Sequence, residues 1–333
     1  MEVSVKKKAE LIEAGGVVID SSFRPYVTRA TAGPGAGLES IFVNIDGHRV
    51  RLGVRQESRF KASLDGNDVT IYDEEGPEKV FVRGKLEEAI SHCPGQAYIT
   101  VSERCVFDCK FCPVPRLHGK VKSTEEVLEL VRNGLKNPAL ASISLTSGVW
   151  KTPEEEVERV AGLVREIYRL AKPRNIPIGV SVYPTDDSSE VLKDAGALEI
   201  KYNIESVDPG IFKKVCPNLS QDYIVKSLGH AVSVFGRNHV FSNVLIGLGE
   251  TDDTVIKGIE MLASMGVIPI LRKVSPHPLR KDDVYIEKVS AGRLLKLASE
   301  ERRILAKYGL DVTQARTGCL PCTGCDVSPV RDI

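Results

Sequence analysis

Ser142 to Tyr183 reads SISLTSGVWKTPEEEVERVAGLVREIYRLAKPRNIPIGVSVY, and its rhythm decides the fold class. SISLTSG is a short apolar, β-prone run that ends in turn formers, the pattern of a buried strand. PEEEVERVAGLVREIYRLAK places apolar residues every three or four positions behind a proline and three acids. That is an amphipathic helix with a marked N-terminus. IPIGVSVY is a second buried strand. The same alternation continues on both sides. AYITVS, ALEIKYNIES, HVFSNVLIGLG and IPILRKVS read as strands. STEEVLELVRNGLKN, capped by Ser123 or Thr124, and SSEVLKDAG, LSQDYIVKSLGHAVSVFG and DDTVIKGIEMLASMG read as the helices between them, with SAGRLLKLASEERRILAKYG as the last. Roughly six such units predict an α/β fold, a parallel sheet wrapped by helices into a (β/α) TIM-type barrel, closed or partial, with its site on the loops after the strands. A doubly wound open sheet is the structural alternative.

Upstream the rhythm differs. SIFVNIDGHRVRLGV is two alternating runs joined at Asp46-Gly47, a type I′ hairpin signal, and DGNDVTIYDEEG repeats it at Asp65-Gly66. TAGPGAGL just before them is a loop, and Lys6-Lys7-Lys8 reads as the solvated face of a helix. The expected organisation is a β-rich extension over 1–92, arranged as a meander, the barrel over 93–310, and an irregular Cys-bearing tail over 311–333.

Composition narrows the function. The 333 residues carry 45 basic and 45 acidic side chains, a net charge of zero. That gives no electrostatic footprint for nucleic acid or an anionic membrane. No apolar run approaches the ~18 residues a spanning helix needs, and MEVSVKKKAELIEAGG lacks the apolar core of a signal peptide. Six of the eight cysteines fall in two tight triplets. Closely spaced thiolates in a long chain without secretory features read as metal ligands in a cytoplasmic protein rather than as a disulfide framework.

The first triplet, Cys105-Val-Phe-Asp-Cys109-Lys-Phe-Cys112, follows the first barrel strand. A cubane iron–sulfur cluster takes one thiolate per iron, so three ligands leave one iron open. Zinc is the competing reading, but it prefers paired CxxC elements or nearby histidine, and His118 reads as a solvated loop residue. CxxxCxxC with an aromatic residue, Phe111, before the last cysteine resembles the signature of the radical S-adenosylmethionine superfamily. The resemblance implies a [4Fe–4S] cluster that binds S-adenosylmethionine and, on reduction, yields a 5′-deoxyadenosyl radical that abstracts hydrogen from unactivated carbon. It also implies cofactor-binding segments. Thr146-Ser147-Gly148-Val149-Trp150 is similar to the biotin-synthase segment that holds the methionine amine, marking Ser147, Gly148 and Trp150. Asn243 to Glu250 resembles the adenine-contacting strand, marking Leu245 and Gly247. Lys201-Tyr202-Asn203-Ile204-Glu205-Ser206 resembles a biotin- and lipoyl-synthase strand, with Asn203 and Glu205 on one side facing ribose or substrate.

The second triplet, Cys319-Leu-Pro-Cys322-Thr-Gly-Cys325, resembles a ferredoxin run and suggests a second [4Fe–4S] cluster, with zinc again competing. Its fourth ligand is open among Cys93, Cys216, Ser328 and Arg316. Cys93 and Cys216 each also read as small buried hydrophobes. An auxiliary cluster can relay electrons, anchor substrate or donate sulfur. A C-terminal CxxCxxC on a biotin-synthase-like barrel is similar to the two-protein lipoyl synthases. That likeness implies sulfur insertion into a protein- or peptide-bound octanoyl-lysine. The implied partners are a homologous radical enzyme, an octanoylated lipoyl carrier and an external ferredoxin- or flavodoxin-type donor, with no nucleic acid and no membrane. The alternatives are another biotin-synthase-like enzyme, such as a mutase, with a relay or structural cluster, and a non-catalytic redox sensor or cluster carrier. Arg272 and Lys273, Ser181 and Tyr183, and His277 complete the candidates at strand ends.

Overall fold

The computed structural model describes residues 2–76 and 79–333. After helix α1 (Val3–Ala14), strands β1 (Thr28–Arg29), β2 (Glu39–Ile45), β3 (His48–Gly53), β4 (Phe60–Asp65), β5 (Asp68–Asp73) and β6 (Val80–Leu86) form one antiparallel sheet. Asp46 and Gly47 both take the positive φ of a type I′ turn, as expected. The second hairpin turns one residue later than expected, because β4 runs through Asp65 and leaves Gly66-Asn67 as the turn. The sheet is not a simple meander: its order is β1-β2-β6-β5-β4, with β3 also paired to β2.

The second sheet is built from β7 (Gln96–Thr100), β8 (Ser142–Thr146), β9 (Ile178–Ser181), β10 (Glu199–Lys201), β11 (Val240–Ile246) and β12 (Ile268–Lys273). Its strands are parallel and lie in sequential order, with β7 and β12 at the edges. Sequential order excludes the doubly wound alternative, which needs a reversal of strand order; the sheet is a partial (β/α) barrel. The connecting helices are α2 (Thr124–Lys136), α3 (Pro153–Ala171), α4 (Ser188–Ala195), α5 (Pro209–Val215), α6 (Gln221–Phe235) and α7 (Asp252–Met265), followed by α8 (Ala291–Lys307) and a single turn, α9 (Cys319–Cys322). Ser123 starts α2 through a complete capping box. Among the described residues no helix is long and apolar enough to cross a membrane.

The N-terminal region reaches both edges of the partial barrel. Thr31 Oγ1 donates to Thr100 Oγ1 at the end of β7 (2.7 Å). Lys273 Nζ at the end of β12 donates to the last carbonyls of α1, on Ile12 and Glu13 (2.8 and 2.7 Å). The C-terminal tail meanwhile enters among the N-terminal ends of the barrel strands. Glu199, first residue of β10, accepts from the backbone N–H of Arg316 and Thr317 (2.9 and 2.8 Å). Gln96, first residue of β7, both donates to Gly318 O and accepts from Gly318 N (2.8 and 3.0 Å). The fit is tight: a Cβ on Gly179 of β9 would lie 2.0 Å from Thr317 Oγ1.

Three successive tail carbonyls are taken by the N-terminal region. Arg49 Nη1 donates to Cys322 O (3.0 Å), Lys8 Nζ to Thr323 O (2.8 Å) and Arg51 N to Gly324 O (2.6 Å). Lys8 therefore does not lie on a solvated face. Its side chain is 0% exposed and pairs with Asp332 at 2.7 Å, which also receives His48 Nδ1 at 2.9 Å. Removing one partner of a buried pair strands the other charge, at a cost of about 3–5 kcal/mol. Lys8→Met is expected to lose stability on that scale in chemical denaturation, and a loss below about 1 kcal/mol would show the pair to be dispensable.

Candidate active site

The loop after β7 carries Cys105, Cys109 and Cys112, and neighbouring elements pin it. Val106 N donates to Val149 O (2.7 Å), Lys110 N to Val215 O (2.7 Å) and Cys112 N to Cys109 O (2.9 Å). A fully buried arginine, Arg280, donates through Nε to Cys112 O (2.7 Å) and through Nη2 to Asp108 (2.5 Å), while Nη1 meets Asp283 (2.8 Å). Gly148 lets this loop approach the end of β8, since a Cβ there would sit 2.3 Å from Arg104 O and 3.2 Å from Cys105 Cβ.

The three thiols, together with Phe111, line a cavity of about 370 Å³ at the barrel mouth. Burial is the main force raising the thiol pKa of Cys105 and Cys112, and the neighbouring thiols add to it. Cys109 is raised first by its hydrogen bond with Cys216 and then by burial. Binding iron must displace those protons. Backbone amides of Phe107 and Val149 point at Cys105, and that of Val114 at Cys112, as donors to sulfur. The buried Asn243 Oδ1, on the cavity wall, has no hydrogen-bond partner. Three inward thiols, donor amides and an unpartnered acceptor fit a three-thiolate cluster with a ligand beside it.

Cys93, Cys319, Cys322 and Cys325 line the same cavity. Between the two cysteine sets its wall carries Tyr98, Lys201, Asn203, Glu205 and Arg272. Lys201 Nζ lies 3.9 Å from Cys319 Sγ, and Arg272 Nη2 lies 3.2 Å from Asp326. Burial disfavours both cations, but Cys319, with Tyr98 for Lys201 and Cys325 for Arg272, outweighs it and raises their pKa. Among the described residues no three Cys, His, Asp or Glu side chains converge on the position of a single ion; each set faces a shared space.

Most residues expected near the cofactor line this cavity: Phe111, Ser147, Gly148, Asn203, Glu205 and Leu245. Ser181, Tyr183, Arg272 and Lys273 line it as well. Two expected residues stand apart. Trp150 is 41% exposed and is not part of the wall. Gly247 is also outside it; its φ of +103° serves a turn in which Glu250 accepts from Gly247 N and Leu248 N (2.8 Å each). His277 is buried with Nε2 on Ala36 O (3.0 Å), so it ties the N-terminal loop to the barrel. Arg280, Gln96 and Glu199 were not apparent in the sequence. A proline-flanked loop arginine and two polar residues at strand starts carry no signal, since their partners are remote in the chain.

Glu205 combines two departures from the ordinary. Its φ is +60°, in the left-handed region, held by Glu205 N to Asn243 O (3.0 Å) and Leu245 N to Glu205 O (2.7 Å). Strain of this kind concentrates at functional sites. Burial pushes its carboxyl up to about 7, against the opposing pull of Lys201 and Asn203. The folded state therefore binds a proton that the unfolded chain has already released above about 4.5. Before cluster reconstitution, Glu205 by itself contributes stability that is present below about 4.5 and is lost as pH rises to about 7; buried His92, lowered to about 3, contributes in the opposite sense over the same range. Relative to the parent, Glu205→Gln should gain stability between about pH 4.5 and 7 in a series of denaturant titrations, and a parent-minus-variant difference that does not change with pH would show that Glu205 does not titrate there.

Comparison with known proteins agrees with this geometry. The Radical SAM superfamily profile matches residues 99–262. The chain is 27% identical over 232 residues to a GTP 3′,8-cyclase of Microcystis aeruginosa, covering 66% of each. It is 25% identical over 191 residues to a lipoyl synthase of Glaesserella parasuis, covering 55% of this chain and 57% of the relative. Among solved structures, methylornithine synthase superposes with a TM-score of 0.55 at 19% identity, over 64% of this chain and 62% of that one, which shows a shared fold. The chain thus spans under two thirds of each of these proteins. Three thiols stand at the mouth of a partial barrel whose strands, within residues 99–262, match the Radical SAM superfamily profile.

Proposed function

We propose that this chain is a radical SAM enzyme that inserts sulfur at unactivated C–H bonds of a protein- or peptide-bound octanoyl-lysine, as one component of a two-protein lipoyl synthase. One observation carries the reading: both cysteine sets open on a single cavity, so carbon activated beside the first set has access to the second without leaving the protein. Lipoyl synthases stand among the low-identity relatives, beside GTP 3′,8-cyclases. When bound, a cluster and S-adenosylmethionine at Cys105, Cys109 and Cys112 supply the hydrogen-abstracting radical, and a cluster at the tail cysteines supplies sulfur.

The residues around the cavity orient and exclude. Gly148 leaves room beside Cys105, and Asn203 and Glu205 offer polar atoms for the nucleoside or methionyl part of the cosubstrate. Leu38, Phe42, Phe107, Val149 and Leu245 present apolar surface suited to an aliphatic chain. Loop 30–38 and the N-terminal sheet cover the open side of the barrel and keep water from the reacting carbon. Lys201 and Arg272 place positive charge beside the tail thiolates.

The test is anaerobic incubation of reconstituted protein with S-adenosylmethionine, a low-potential reductant, the homologous partner and an octanoyl-lysyl peptide. The expected product gains sulfur by mass. S-adenosylmethionine cleavage with an unmodified peptide, alone or with the partner, would remove the lipoyl reading while leaving radical chemistry intact.

A further inference from the structure

We infer that Cys93 is the fourth ligand of the tail site, which makes that site a closed four-thiolate site in contrast to the open three-thiolate site at the barrel mouth. The inference rests on the reading above that the tail holds a cluster, and it adds the ligand that fixes the coordination of every iron.

Cys93 lies far from the tail in sequence, and the fold brings it there by specific contacts. It sits in the tight turn Cys93-Pro94-Gly95-Gln96, closed by a bridge between Cys93 and Gln96, with Gly95 at φ +74°. Gln96 is the residue that clamps Gly318 through both amide atoms, so the turn bearing Cys93 and the strap leading to Cys319 are held as one unit. Cys93, Cys322 and Phe42 form a small buried cluster of their own, with Tyr98 packed against it. The Cys93 and Cys322 side chains thus pack against one another, and both line the cavity with Cys319 and Cys325.

The three rival ligands are placed elsewhere. Cys216 does not line the cavity and sits beside the first cysteine loop, where the neighbouring Val215 O accepts from Lys110 N (2.7 Å). Ser328 Oγ accepts from Arg331 N (3.3 Å) and its own N–H is held by Asp332, and it does not line the cavity. Arg316 is absent from the cavity wall too, its backbone tied to Glu199. The peptide around Cys322 is fixed for ligation: its carbonyls at 322–324 face the N-terminal region, and Thr323 takes a left-handed φ of +57°. Gly324 packs so that a Cβ would lie 3.0 Å from Phe42. With one thiolate per iron, Cys93, Cys319, Cys322 and Cys325 would together supply every ligand a cubane takes.

The experiment uses full-length protein with Cys105, Cys109 and Cys112 changed to alanine, which isolates the tail site. After anaerobic reconstitution with iron and sulfide it should bind about four irons and four sulfides. Adding Cys93→Ala should lower iron content or leave a three-iron signal by electron paramagnetic resonance, and Cys93→Ser should retain four irons with a shifted spectrum. A Cys93→Ala protein with unchanged iron and an unchanged spectrum overturns the assignment while leaving the cluster. Background protein that takes up no iron, or one zinc and no sulfide, overturns the cluster reading itself. Melting curves for each variant separate ligand loss from unfolding.

Discussion

With Cys105, Cys109 and Cys112 all changed to alanine, 5′-deoxyadenosine formation should fall to the level of a protein-free control. The thiols are the only sulfur ligands in their loop, and no other side chain on the same loop can replace three thiolates on one cluster. Single changes leave two thiolates and a residual chance of assembly, so the triple change is the sharper test. The fold should survive it. The loop is held by Arg280 and by backbone bonds to Val149 and Val215, none of which involves the cysteine sulfurs. A melting temperature within a few degrees of the parent, with cleavage lost, is the expected pair of results. Cleavage at the parent rate would remove radical chemistry from this site.

The second large effect is expected at the other end of the cavity. Changing Cys319, Cys322 and Cys325 to alanine should eliminate the thiolated product while 5′-deoxyadenosine remains measurable, because the two cysteine sets lie on different segments. A donor cluster loses sulfide to the product, so parent protein should stop after about one turnover unless the cluster is rebuilt. Reconstitution with isotopically labelled sulfide decides the matter. Label in the product supports donation, whereas unlabelled product over many turnovers would make the tail cluster an electron relay.

The barrel was legible because its signals are local. Nearly every strand and helix from Gln96 to Lys307 announces itself by periodicity, caps and turn residues within its own span, the exception being the seven-residue α5 (Pro209–Val215), too short to show a period. The two cysteine triplets were legible for the same reason. What escaped the sequence lies in contacts between remote segments. Lys8 sits in a run of three lysines, where solvation is the ordinary expectation, and only Asp332 at the far end of the chain makes its burial sensible. Cys93 and Cys216 are equivalent as isolated cysteines; their different neighbours, Cys322 and Cys109, exist only in the folded protein. The N-terminal region showed its hairpins but not its contacts, in which the loop at Thr31 and helix α1 meet the β7 and β12 edges and β3 holds the tail.

That grip bears on how the molecule is made. The Lys8 to Asp332 and Lys8 to Thr323 bonds join residues 324 and 315 positions apart. Closing so long a loop is entropically costly, and contacts of such high order form after local ones. The βα units close on local contacts, whereas docking the strap from Thr317 to Asp332 needs segments 315 and 324 positions apart to meet. Until it docks, the buried side chains of Gln96 and Glu199 at the strand starts lack the partners they have in Gly318, Arg316 and Thr317.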